Sequence, residues 1–250
     1  MMKHTFFILF AAAMLVAGCN HSDNNPDKNN SGNVPSGKKD KTDDGSNTLS
    51  DIDGNTYKTV KIGEQVWMAE NLKVTKDRDG KEIALGSDTS TSTPHRYCPD
   101  NLQYNVEEYG YLYNWEAAMR VCPKGWHLPT DAEWTQLTDY VSSQSQYVCG
   151  DDKNSIAKAL ASTDGWECHD GSCTVGNNLD DNNATGFGVL GAGYYYWCMY
   201  LAIWRGAWFW SATESDISNA WCRSISSRSN DVKGDSLYKV GGFSVRCVRD

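Results

Sequence analysis

The sequence predicts one disulfide-bonded α+β domain, with two or three short helices early and antiparallel strands late, behind an exported, lipid-modified N-terminus. Three observations carry that expectation. Two segments between residues 114 and 142 repeat apolar residues at helical spacing behind good caps. After Thr185 the chain turns rich in glycine and aromatic residues, in short β-type runs. The chain has 9 cysteines, which in an exported protein read as a disulfide framework.

The N-terminus comes first. Lys3, the apolar core Phe6 to Val16, and the small residues Ala17 and Gly18 ahead of Cys19 make a lipoprotein signal peptide of residues 1–18. The apolar core is too short to span a bilayer comfortably. Cys19 is therefore the expected lipidation site, and acyl chains at about 0.8 kcal/mol per buried methylene hold such a chain to a membrane. Residues 19–50 read as a lipidated flexible tether, almost all Asn, Asp, Ser, Gly, Lys and Pro, with Val34 and Leu49 the only aliphatic residues after Cys19. The domain proper is 51–250, long enough for one sizeable core. The formal charge of −9 falls to −10 once Lys3 leaves with the signal, which argues against nucleic acid or anionic lipid as a partner.

Within the domain, two β-prone runs between Tyr57 and Ala69 flank Gly63-Glu64, a pair suited to a type II′ hairpin. Thr75 to Thr93 reads as loop, with a turn at Asp79-Gly80. Trp115, Ala118, Met119 and Cys122 share one helical face, with Asn114 as cap and Pro123 to Gly125 as the stop. Thr130-Asp131-Ala132-Glu133 is a capping box, and Trp134, Leu137 and Val141 carry a second helix to about Ser142. A weaker third helix spans Ser155 to Ala161. Turns near Gly206, Ser215 and Gly234 then separate strands that end in Phe243 to Val248.

The stretch YGYLYNWEAAMRVCPKGWHLPTDAEW from Tyr109 to Trp134, together with ATGFGVLGAGYYY, WFWSATES and GGFSVRCV, closely resembles the Fibrobacter succinogenes major paralogous domain family. That family is similar to the C-type-lectin-like and formylglycine-generating-enzyme-like fold group, whose helix pattern corresponds to Trp115, Ala118, Cys122, Gly125, Leu128 and Glu133. The resemblance implies a lectin-like fold. It also implies a disulfide between Cys122 and Cys247, since lectin-like relatives join the end of the first helix to the last strand. The calcium-dependent sugar motifs of the lectins do not occur here, and Cys222 stands alone where the oxidase branch has two cysteines. Among the other cysteines, Cys168 and Cys173 are close enough to pair through a turn at Gly171; Cys198 with Cys222 and Cys98 with Cys149 follow only by elimination.

Several constellations invite a chemical reading. Gly186-x-Gly188-x-x-Gly191 has dinucleotide-loop spacing but no helix behind it, so strand-packing glycines are expected. Cys168-His169 with Cys173 lacks the paired spacing of a zinc site. His127 is expected to be a structural hydrogen-bonding residue, and His95 has no assignable role. Asn177 to Asn183, with Asp180 and Asp181, gathers oxygen ligands of the kind calcium takes but lacks the closing glutamate of an EF-hand loop. Ser211 and Glu214 have no histidine to complete a triad. Phe187 to Trp204 carries no charge and is long enough for a membrane span, but its glycines and tyrosines suit a sheet or an interface.

The resulting expectation is a lipid-anchored module on the bacterial cell envelope, at the outer membrane or cell surface, that binds a glycan or protein ligand, uses no cofactor or metal and catalyses nothing. The alternatives are a structural envelope component and, less favoured, an oxidase of the formylglycine-generating type. The candidate ligand platform is Trp197, Tyr200, Trp204 and Trp208, with Trp210 in the core, because indole and phenol rings anchor ligands at little rotamer cost.

Overall fold

The computed structural model describes residues 48–86 and 92–250. The signal peptide, Cys19 and nearly all of the tether lie outside the described residues. In chain order the strands are β1 (Thr48–Ser50), β2 (Thr56–Ile62), β3 (Gln65–Met68), β4 (Ala84–Leu85), β5 (His95–Tyr97), β6 (Leu112–Tyr113), β7 (Trp126–His127), β8 (Ala192–Tyr196), β9 (Met199–Ile203), β10 (Gly206–Glu214), β11 (Asn219–Ser226), β12 (Lys233–Tyr238) and β13 (Val248–Arg249). The α-helices among the described residues are α1 (Asn105–Tyr109), α2 (Trp115–Val121), α3 (Asp131–Ser143) and α4 (Ala157–Leu160). The fold is α+β, as the sequence predicts. Its sheets run in the orders β1-β2-β3-β13-β7, β12-β11-β10-β8-β9 and β4-β5-β6, and only the β10–β8 and β4–β5 pairs of named strands are parallel.

Local chemistry explains the elements. The β2–β3 hairpin turns at Gly63-Glu64 between the paired Ile62 and Gln65, and Gly63 takes a φ of 60° that a side chain there would resist. Asn114 caps α2 by accepting from the Ala117 amide. Thr130 and Glu133 cap α3 reciprocally. Both helices pack on β10, one from each side. Successive strand residues face opposite ways, so Trp210 joins Ala117, Ala118 and Val121 in one core cluster. Phe209 joins Trp134, Leu137 and Val141 in another.

Some expectations shift. The third helix shrinks to the single turn of α4, and α1 is an additional short helix. Gly234 lies inside β12 and not in a turn, and the closing strand is confined to Val248–Arg249. The uncharged run from Phe187 to Trp204 supplies the β8–β9 hairpin, and no helix among the described residues is long and apolar enough to cross a membrane.

Cys122 is bonded to Cys247 across a sequence separation of 125. Cys173 is bonded to Cys149 and not to Cys168, which corrects the short-loop pairing; Cys168 is itself disulfide-bonded. The reason is local: the turn after His169 closes on its own hydrogen bonds, Gly171 N–H to His169 Nδ1 at 3.1 Å and Thr174 N–H to the Gly171 carbonyl at 3.1 Å. A Cβ on Gly150, the neighbour of Cys149, would lie 3.6 Å from the Cys173 sulfur. Cys98, Cys198 and Cys222 are thiols, so the two pairings reached by elimination do not form. Cys222 is buried opposite Trp210 in the sheet, whereas Cys198 sits exposed in a hairpin turn.

Two loops share one construction. In Asp51-Ile52-Asp53-Gly54-Asn55, the Asp51 Oδ1 accepts from the Asp53 and Asn55 amides at 2.9 and 3.0 Å. In Asp77-Arg78-Asp79-Gly80-Lys81, the Asp77 Oδ1 accepts from the Asp79 and Lys81 amides at 3.0 and 2.8 Å. Gly54 and Gly80 have φ of 85° and 89°. Each loop is followed, at the same offset, by a buried residue, Tyr57 or Ile83. This Asp-x-Asp-Gly turn is a short internal repeat that closes one strand pair and one β-bridge.

Arg246 is the most deeply buried cation among the described residues. Its Nε donates to Asn71 Oδ1 at 2.9 Å and its other nitrogens to the carbonyls of Phe187 and Gly188. The guanidinium also lies 4.6 Å from the Phe187 ring centroid. Burial pushes its pKa down to about 9. The C-terminal segment is thereby tied to the glycine-rich loop ahead of β8.

Candidate functional site

The family-like signature resolves into structure. His127 Nε2 meets Glu133 Oε1 at 2.7 Å and Nδ1 meets Asp250 Oδ1 at 2.7 Å. Glu133 Oε2 accepts from the Thr130 amide and hydroxyl at 2.7 and 2.8 Å. The spacing His-Leu-Pro-Thr-x-x-Glu is thus a helix cap with a histidine strapped across it, and it also holds the C-terminus. Burial disfavours the imidazolium, but the hydrogen bonds to Asp250 and Glu133 outweigh it and raise the His127 pKa.

The other constellations are occupied by structure. Lys158 points its ammonium at the carbonyls of Asn177 and Asn178, so a cation already sits against two backbone oxygens of the loop that resembled a calcium site. Asn178 Nδ2 meanwhile donates to Asp181 Oδ2 at 2.5 Å. Ser211 is buried with its hydroxyl accepting from the Thr213 amide at 3.1 Å, and Glu214 pairs with Lys239 at 3.1 Å. Gly186 and Gly188 take φ of 75° and 62° and are followed by a strand, not a helix. A Cβ on Gly191 would lie 2.9 Å from the Trp204 backbone, which explains that glycine by packing. Among the described residues no group of three or more His, Cys, Asp or Glu side chains is placed to hold a metal.

The aromatic run is different, because its rings reach the surface. Trp197 is 64% exposed and Trp204 48%. Tyr200 and Trp208 are half-buried. The four predicted platform residues do not share one surface. Tyr200 packs on buried Tyr195 at 4.9 Å with the ring planes tilted by 51°, on the opposite face of β8 from Tyr194. Trp204 lies past the far end of β9 and donates Nε1–H to the Tyr109 hydroxyl at 3.0 Å. Only Trp197 and Trp208 join a continuous surface.

That surface is a ribbon of five rings. Trp208 contacts Tyr194 at 4.3 Å, Tyr194 contacts Tyr196 at 6.5 Å, Tyr196 contacts Trp197 at 5.8 Å, and Trp197 contacts Tyr238 at 6.3 Å, centroid to centroid. Tyr238 arrives from β12 and is 47% exposed. Met199 and Leu201, cross-strand partners of Tyr196 and Tyr194, border the ribbon and are also exposed. Glycines seat the rings: a Cβ on Gly206 would lie 2.5 Å from the Trp208 ring, and one on Gly241 3.1 Å from the Tyr196 ring. Burial raises the Tyr196 pKa, so its phenol stays protonated at neutral pH.

The tip of the β8–β9 hairpin is strained. Tyr196 pairs with Met199, leaving Trp197 and Cys198 as a two-residue turn with φ of 50° and 60°. Two positive φ values define the type I′ turn, which asparagine and glycine favour. Left-handed backbone costs an ordinary L-residue about 1 to 2 kcal/mol. Such strain is concentrated at functional positions, and here it holds an indole out into solvent.

Fold and surface together define a disulfide-bonded α+β domain that displays a ribbon of aromatic rings. Residues 60–249 match the Fibrobacter succinogenes major domain family, and the chain belongs to that family. No curated protein and no solved structure matches it.

Proposed function

We propose that this chain is a lipid-anchored, non-catalytic binding module of lectin-like architecture, displayed on the bacterial cell envelope and gripping its ligand through the aromatic ribbon. The observation that carries the reading is the exposure of Trp197 and Tyr238 at the end of a continuous ring path whose other end is seated in the core. Exposed indole and phenol rings anchored on a rigid sheet bring large contact area at small entropic cost. Burial pushes the Cys222 thiol up to about 12, which favours a structural over a catalytic role for the cysteine on the oxidase-like strand.

Two experiments test this. Saturable retention of a ligand from a panel of glycans, cell-wall polymers and purified envelope proteins is measured on the immobilised full chain. Trp197→Ala and Tyr238→Ala should both abolish it with the melting temperature unchanged; retention that survives both changes, or no saturable ligand in the panel, overturns the ribbon reading. Separately, Cys19→Ala should release the protein from the membrane fraction, and continued partition into detergent with that fraction would end the lipid-anchor reading.

A further inference from the structure

We infer that the ribbon's occupant is a single, uncharged glycan chain that twists along its length; this rests on the binding-module reading and narrows its ligand. Three observations point there. The first is the orientation of the rings. Neighbouring planes along the path are turned by 57° (Tyr194 to Trp208), 62° (Tyr194 to Tyr196), 86° (Tyr196 to Trp197) and 79° (Trp197 to Tyr238). A crystalline polymer face presents sugars in one plane and needs coplanar rings. Rings that turn at every step can each meet a successive sugar only if the chain itself turns.

The second is charge. The ribbon is built from tryptophan and tyrosine, which are neutral at pH 7, in a protein of formal charge −9. Among the described residues the cation–ring contacts fall on Tyr111, Trp115, Phe187 and Phe209 and on none of the five ribbon rings, and the overall field repels a polyanion. The third is hydrogen-bonding capacity. Tyr194, Tyr196 and Tyr238 each carry a phenol that both donates and accepts. They share the path with the indoles of Trp208 and Trp197, a mix that suits a polyol whose C–H faces stack while its hydroxyls seek partners.

The test titrates the full chain with neutral oligosaccharide series of differing linkage (β-1,4- and β-1,3-glucans, α-1,4-glucans, β-1,4-mannans), reading tryptophan fluorescence and calorimetric heat. Polygalacturonate and microcrystalline cellulose serve as controls. At least one neutral series should bind, with affinity that tightens as the oligosaccharide lengthens until the ribbon is covered and then levels off. Trp197→Ala and Tyr238→Ala should each weaken it at least about tenfold, and Trp197→Phe should recover part of the loss. Unchanged unfolding midpoints in the variants separate lost stacking from lost fold. Binding only to polygalacturonate, retention only on microcrystalline cellulose, or silence with every neutral series overturns the glycan inference. If the series are silent while a purified envelope protein is still retained through Trp197 and Tyr238, the glycan inference falls and the binding module stands. If no ligand, glycan or protein, is retained in a way that Trp197→Ala weakens, both fall.

Discussion

Replacing Cys122 and Cys247 together by alanine should destabilise the domain more than replacing Cys149 and Cys173, and by a calculable margin. The first bridge closes a sequence separation of 125, which in the chain-entropy treatment is worth about 5 kcal/mol. The second closes 24, worth about 3.5 kcal/mol. Both sulfurs of the longer bridge are buried in the cluster around Trp210 and Phe243, so alanine there also leaves unfilled volume, which widens the gap. Against total stabilities of roughly 5 to 15 kcal/mol, the first change removes a third or more of the whole. The assay is guanidinium unfolding of the full chain and both double variants, followed by tryptophan fluorescence. The midpoint should fall further for the longer loop, and the slope should rise because the unfolded chain is freer. Equal losses, or a larger loss from the Cys149 and Cys173 pair, would refute loop closure as the source of the stabilisation.

Stability should also depend on pH through His127. Its raised pKa means that its contribution is complete below the unfolded value, near 6.5, and is lost as pH rises through the native value. For Glu133, burial is outweighed by hydrogen bonds from Thr130 and His127, so its pKa is lowered; its contribution is present above 4.5 and lost as pH falls through the native value. His127→Gln should therefore flatten the alkaline limb of the melting curve against pH and weaken the acid limb only in part, because the Thr130 bonds to Glu133 remain; an unaltered alkaline limb would refute it. Trp208→Ala should cost about 2 to 3 kcal/mol, because that ring packs on Tyr194 and the core, whereas Trp197→Ala should stay within about 0.5 kcal/mol. Chemical unfolding that ranks them the other way would place Trp197 in the core. Lys158→Met should cost about 2 kcal/mol by orphaning the Asn177 and Asn178 carbonyls, and added calcium should leave the wild-type melting temperature unmoved; a calcium-dependent rise would restore the metal reading.

Much of the scaffold was legible in the chain because its determinants are local. The Asn114 cap, the Thr130 capping box, the Gly63-Glu64 turn and the alternation of Phe209 and Trp210 each act within a few residues. The repeated Asp-x-Asp-Gly turn is equally local, but only its second copy reads as a turn, at Asp79-Gly80; the first, at Asp53-Gly54, merges in composition with the polar tether ahead of it. Arg246 was unreadable for another reason: an arginine in a strand looks solvated until Asn71 and the carbonyls of residues 187 and 188 arrive from elsewhere to receive it.

The sequence by itself determined the α+β class, the starts of α2 and α3, the β2–β3 hairpin and the aromatic wealth between Tyr194 and Trp210, since short-range sterics and hydrophobic period set all of these. Tertiary structure alone decided that Cys149 and Cys173 meet, that the Lys158 ammonium sits against the carbonyls of Asn177 and Asn178, and which rings line up. Tyr200 and Trp204 are neighbours of Trp197 along the chain but not on its surface, because strand alternation sends one to the opposite face and the length of β9 carries the other away. Tyr238, distant in sequence and set among polar residues, completes the ribbon because the turn after β12 brings Gly242 into a bridge with Tyr195 and so carries the end of β12 to the hairpin. Proximity of that kind is set by long-range packing, which no local pattern encodes.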